Sequence, residues 1–184
     1  MFRTLSLVII ISFSSGIFGE NNTAYAVSEI YTDLRNQVLN IPKKQNLIEN
    51  FKDSHPLAIL METGIERGSY SLVAIADGSA SLYFSNGGGI IGAGEYPEVR
   101  KIVIDFLKLS KNYSDLLQKT SNYPLPKRDR TRFYIVGINS VVSAEFKEDD
   151  LGNERLPLSP LFLKGHELIS AIQFVDKKRA EEGQ

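Results

Sequence analysis

The chain has 184 residues and a formal net charge of -1, from 21 Lys plus Arg against 22 Asp plus Glu. With 42% apolar and 23% charged residues it has the composition of a folded domain, and the balanced charge gives no global attraction to nucleic acid or to an acidic membrane surface. The absence of cysteine excludes disulfides, thiolate metal sites and a thiol nucleophile, and His55 and His166 alone are too few for a three-histidine metal centre.

Residues 1–26 carry the parts of a secretory signal peptide: Arg3 as the only early charge, an apolar run from Leu5 to Phe18, and Ala24-Tyr25-Ala26 at the small-residue spacing of a cleavage site. The run is shorter than the roughly 20 apolar residues of a membrane span. Cleavage is expected between Ala26 and Val27, delivering residues 27–184 as a single exported domain, periplasmic or extracellular, with no membrane span. Uncleaved, the segment would leave the chain anchored or cytoplasmic.

The mature part predicts an α+β domain of order α-β-β-β-α-β-β-α, with about five mainly antiparallel strands and two or three helices packed on them. Ser28 is placed to cap a first helix carrying Ile30, Leu34, Val38 and Ile41 on one face, ended by Pro42. Lys43–His55 is polar with a few apolar residues and reads as a loop or short helix. Three strands follow, Leu57–Thr63, Ser71–Ala76 and Ser79–Ser85. The last two are joined by Asp77-Gly78, a strong hairpin signal because a type I′ turn needs positive φ at both central residues.

After the glycine-rich run Asn86–Gly94, Pro97 opens a strongly amphipathic helix whose stripe runs from Val99 through Phe106 to Leu117. Tyr123-Pro-Leu-Pro-Lys127 breaks it. A hairpin of Arg132–Ile138 and Val141–Phe146 is expected around Gly137–Ser140. Ser159-Pro160 starts a final helix with Leu161, Leu168, Ile172 and Val175 on one face, weakened by Gly165.

The candidate chemistry centres on the glycine run. Gly87, Gly89 and Gly92 match the spacing of a dinucleotide fingerprint between a strand and a helix, where backbone amides can cradle an anion. The preceding strand is the third of a meander, not the first of a βαβ unit, so the run reads first as an unusual turn or bulge that needs several positive-φ residues, and the ligand it would hold is a small molecule or anion on Ser85, Asn86, Gly87, Gly88, Gly89, Gly92 and Gly94. Ser85 with Asp77 is the weaker alternative, a metal-independent hydrolase, with His166 reaching them only through tertiary folding. The cation-rich Lys127–Arg132 and the acidic Glu148–Asp150 read as solvated loops, and His55 as a strand-entry residue. No cofactor, metal site or catalytic residue is assigned.

Leu60-Met-Glu-Thr-Gly64, the stretch Ala76-Asp-Gly-Ser-Ala-Ser-Leu-Tyr-Phe-Ser-Asn-Gly-Gly-Gly-Ile-Ile-Gly-Ala-Gly-Glu95, Arg132-Phe-Tyr-Ile135 and Leu156-Pro-Leu-Ser-Pro-Leu-Phe162 together resemble a signature of uncharacterised bacterial proteins. The resemblance implies a shared fold and brings no activity with it. The expected layout is also similar to roadblock-, longin- and profilin-type modules, which implies a non-enzymatic interaction domain by fold analogy alone. The expected function is therefore binding, with a protein partner, a small ligand or a second copy of the chain left open.

Overall fold

The computed structural model describes residues 25–41 and 56–183. The leader up to Ala24, Pro42 as the expected stop of the first helix, and the segment Lys43–His55 lie outside them. Helices are α1 Glu29–Leu39, α2 Pro97–Lys111, α3 Glu148–Gly152 and α4 Ser159–Glu182; strands are β1 Ala58–Ile65, β2 Gly68–Ile75, β3 Ala80–Phe84, β4 Gly89–Ile90, β5 Gln118–Thr120, β6 Arg130–Val136 and β7 Val141–Lys147. The strands form one antiparallel sheet of order β4-β3-β2-β1-β6-β7-β5.

The α+β class and the meander are as the sequence predicts, but the sheet has seven strands instead of five. The additions, β4 and β5, are two and three residues long and sit at the two edges. Elements that short carry no period-2 signal, and tertiary pairing alone defines them. The helix after Pro97 ends at Lys111, and Ser114–Leu116 forms a separate 3-10 turn before β5. Glu148–Asp150 is the first turn of α3 where a loop was expected.

Both faces of the sheet are covered, which is why β1 is buried along nearly its whole length without the alternation of a half-exposed strand. On one face Ile59, Met61, Leu72, Phe133 and Ile135 pack under Val99, Val103 and Phe106 of α2 and Leu161, Leu168, Ile172 and Val175 of α4. Gly165 of α4 lies against Met61 and Phe106, so the glycine that weakens the helix lets it approach the sheet. On the other face Leu60, Val73, Tyr83, Tyr134 and Val136 meet Tyr31, Val38 and Leu39 of α1.

Ser28 caps α1 as expected, its hydroxyl accepting from the Tyr31 amide at 3.3 Å. Of the predicted face, Val38 and Ile41 are buried and Leu34 packs partly buried against the same core, but Ile30 does not join them. Ile30 is 57% exposed, and Tyr31 and Arg35 turn inward beside Val38 and Leu39. The reason lies in the sheet beneath, where Glu62, Ser69 and Ser71 are buried among apolar neighbours. Arg35 donates through Nε and Nη2 to the two Glu62 carboxylate oxygens at 2.7 and 2.8 Å, and Ser71 Oγ donates to Oε1 at 2.8 Å. The Tyr31 hydroxyl lies 3.2 Å from Ser69 Oγ and 2.7 Å from Ser71 Oγ. Polar groups in a dry sheet select the helix residues able to pair with them.

Candidate functional site

The glycine run is built into the fold at almost every position. Ser85 Oγ accepts from the Ser69 amide at 3.0 Å, and the Ser85 carbonyl accepts from the Ser28 amide at 2.8 Å. Asn86 Oδ1 takes the Gly88 amide at 3.0 Å, and the Gly87 amide donates to Phe84 O, with Gly87 at φ 97. Gly89 pairs with Tyr83 in β4, where a Cβ would sit 2.8 Å from Leu82 O. Gly94 abuts the Gly78 carbonyl with no room for a side chain.

Two arginines clamp the following turn. Arg179 of α4 donates to the carbonyls of Ile91 and Gly92 at 3.1 and 2.9 Å and to the Tyr96 hydroxyl at 3.2 Å, with its guanidinium over the Tyr96 ring. Arg100 donates to Gly94 O at 3.2 Å and to Asp77 O at 2.7 Å. The amides of Gly87 and Gly88 thus serve the turn itself. Asp77 and Ser85 flank opposite ends of β3, on the order of 20 Å apart at the usual rise per strand residue, and Asp77 Oδ1 holds the Ser79 amide. His166 lies elsewhere, so the structure does not bring the hydrolase residues together.

His166 stands instead beside two segments that the sequence suggests are solvated loops. Pairing in the β6–β7 hairpin sets Arg130 opposite Lys147. The chain ahead of Arg130 is stitched to its surroundings by the Asp129 amide, which donates to Gly64 O at 2.9 Å, and by Asp129 O, which accepts the Glu148 amide at 3.1 Å. Asp129 makes both bonds from the left-handed region, at φ 57, a conformation aspartate tolerates better than most residues. Strand β7 runs directly into α3 at Glu148, and the chain then returns through α4, bringing Phe162, Leu163 and His166 alongside.

These segments line a shallow, widely open cleft of about 810 Å³. Arg128, Arg130 and Lys147 stand on its wall with Asp129, Glu148 and Asp149, while Phe162, Leu163 and the His166 ring give it an apolar side. The His166 and Phe162 rings meet edge to face with centroids 4.4 Å apart. Asp149 is engaged by Arg155 at 3.0 Å and by Asn153, Arg128 lies 3.4 Å from Asp129, and Arg130 lies 3.8 Å from Glu145. Among the described residues Lys147 and Glu148 have no ion-pair partner within 4.0 Å. His166 Nε2 is buried with no hydrogen-bond partner among the described residues.

Burial, and after it the neighbouring Asp129 charge, hold the Glu148 carboxyl above its usual range. Burial also lowers the His166 pKa, favouring the neutral ring. Between the unfolded Glu148 value of 4.5 and its raised folded value, the folded state holds more protons than the unfolded one. Stability therefore falls as pH rises through that window, and at neutral pH the charged carboxylate is destabilising. Glu148→Gln is expected to raise the melting temperature at about pH 7 by a degree or so and to leave it unchanged below about pH 4. Melting temperatures measured across that range test this; a Gln variant less stable at neutral pH would contradict it.

His166 and the runs 127–132 and 148–150 were all visible in the sequence. Hairpin register was the one signal able to join the two charged runs, since a turn at Gly137–Ser140 puts the start of β6 beside the end of β7. No local signal places α4 against that corner. Fold and cleft define the chain as an open, two-faced antiparallel α+β domain with a charged pocket at one end of its sheet. Compared with known protein families, curated proteins and solved structures, the chain has no match. Among the described residues no helix is long and apolar enough to cross a membrane, and no group of three acidic or histidine side chains is placed to hold a metal ion.

Proposed function

We propose that this chain is an exported, non-enzymatic binding domain that holds a small ligand in the cleft between the β6–β7 hairpin end and the start of α4. The observation that carries this reading is the convergence there of three sequence-remote segments, giving six charged side chains and an apolar side around one open cavity. Binding pockets pair such an apolar surface with a few polar groups that fix orientation. In the glycine run, the other candidate, the Gly87 and Gly88 amides and the Ile91, Gly92 and Gly94 carbonyls are engaged by the fold's own hydrogen bonds. The signal-type leader supports export.

Leu163 is 42% exposed, so Leu163→Asp is expected to fold normally while charging the apolar side of the cleft. Small-molecule fractions from the native host, tested by thermal shift, are expected to raise the melting temperature of the native chain by roughly 5–10 °C at a hundredfold excess over Kd, and to leave Leu163→Asp unmoved. An equal shift in both proteins would place the ligand elsewhere. Turnover of the bound molecule would reject the non-enzymatic reading. Intact mass from the native host tests export, with a chain beginning at Val27 expected; a mass that includes Met1–Ala26 would overturn it.

A further inference from the structure

Resting on the cleft as the binding site, we propose that its ligand is a zwitterion with an apolar side chain, of the class of a free apolar α-amino acid. Lys147 and Glu148 are consecutive residues on the cleft wall, one cationic and one anionic, and neither has an ion-pair partner among the described residues. The other charges around them are already engaged, Arg128 by Asp129, Arg130 by Glu145 and Asp149 by Arg155. What the wall leaves without an ion-pair partner is therefore one cation and one anion on consecutive residues, Lys147 exposed to solvent and Glu148 partly buried.

A singly charged ligand would satisfy one of these groups and set a like charge near the other. A molecule carrying a carboxylate and an ammonium on neighbouring atoms satisfies both, the carboxylate on Lys147 and the ammonium on Glu148. Glu148 lies between solvent and the interior with the Asp129 carboxylate near it, so an arriving ammonium also relieves repulsion already present. The adjoining surface of Phe162, Leu163 and the His166 ring is apolar and faces the same cavity, which fits a hydrocarbon or aromatic side chain. Gly152 leaves that side open, since a Cβ there would meet only the Phe162 ring edge at 3.8 Å.

The test is calorimetry and thermal shift with L-phenylalanine and L-leucine, beside 3-phenylpropionate, phenethylamine, N-acetyl-L-phenylalanine and L-phenylalaninamide. The amino acids are expected to bind, and each analogue lacking one charge to bind at least tenfold more weakly. Lys147→Gln and Glu148→Gln are each expected to weaken the amino acids at least fivefold. The analogues should be affected unequally, Lys147→Gln mainly weakening the carboxylates and Glu148→Gln mainly the amines. Analogues that bind as well as the amino acids would overturn the proposal. So would a native-host ligand of another charge type that stabilises the native chain and not Leu163→Asp, and that result would leave the cleft itself standing as the site. Failure of the amino acids together with every host fraction would overturn both readings.

Discussion

Arg35→Met is expected to cost about 3–5 kcal/mol of folding stability, the largest loss from any single side chain on α1. The guanidinium answers both oxygens of Glu62, whose side chain is 0% exposed at the centre of the sheet, and it also lies 5.3 Å from the centre of the Tyr134 ring. Removing it leaves a buried carboxylate with only the Ser71 hydroxyl for company. That charge has lost its solvation in water and found no equivalent inside. The companion variant Arg35→Met with Glu62→Leu removes both charges and is expected to recover most of the loss, because apolar side chains of similar volume are tolerated where an ion pair was buried. Urea unfolding of the three proteins gives the comparison. A single variant within about 1 kcal/mol of the native chain would show that α1 is not held by this pair.

The second large effect is expected in the glycine run, and it is selective. Gly94→Ala drives a methyl group into the Gly78 carbonyl and against the backbone of Ser79 and Ala80. Neither side can yield, since Arg100 ties the Gly94 carbonyl to the Asp77 carbonyl across the same gap. A loss of about 3 kcal/mol is expected, at the upper end for an overpacked site. Gly88→Ala meets only the Asn86 side-chain oxygen at 3.3 Å and the Phe84 ring at 3.8 Å, and its φ lies outside the left-handed region. It should stay within about 1 kcal/mol of the native chain. Equal losses at the two positions would mean that the run acts as a single flexible loop and not as separate backbone contacts. Ligand shifts in Gly88→Ala should match those of the native chain if the cleft near His166 is the site.

The legibility of the fold differs by element for identifiable reasons. The hairpin at Asp77-Gly78 formed where the sequence predicts it, but the turn is a three-residue loop, Ala76–Gly78, in which Gly78 at φ 89 is left-handed and Asp77 is not, instead of a type I′ turn with positive φ at both central residues. The apolar stripe of α4 was readable because Leu161, Leu168, Ile172 and Val175 meet a uniformly apolar sheet face, where hydrophobicity alone selects the buried side. The same reasoning chose Ile30 for α1 and missed Tyr31 and Arg35, because the face beneath α1 holds a carboxylate and hydroxyls. Periodicity ranks residues by apolarity and has no knowledge of what waits opposite them.

The glycine run shows the same division. Its spacing invited a phosphate cradle, and Gly87 and Gly92 do adopt positive φ, at 97 and 76. What the residues serve could be seen only once β4, Arg179 and Arg100 were in place around them. In the opposite direction, the runs Lys127–Arg132 and Glu148–Asp150 and His166 looked like unrelated surface features, yet Arg128, Asp129, Arg130, Glu148, Asp149 and His166 line one cleft.

By itself, then, the sequence determined the α+β class, the β1–β2–β3 meander, the β6–β7 hairpin and the two long helices, because each rests on interactions between residues close along the chain. The charge balance and the lack of cysteine likewise needed no structure. Tertiary structure decided the two edge strands, the buried Arg35–Glu62 pair and the cleft at the end of the sheet. Each of these depends on groups brought together from distant parts of the chain, where the burial and charge of the partner, not the local pattern, select which side chain turns inward.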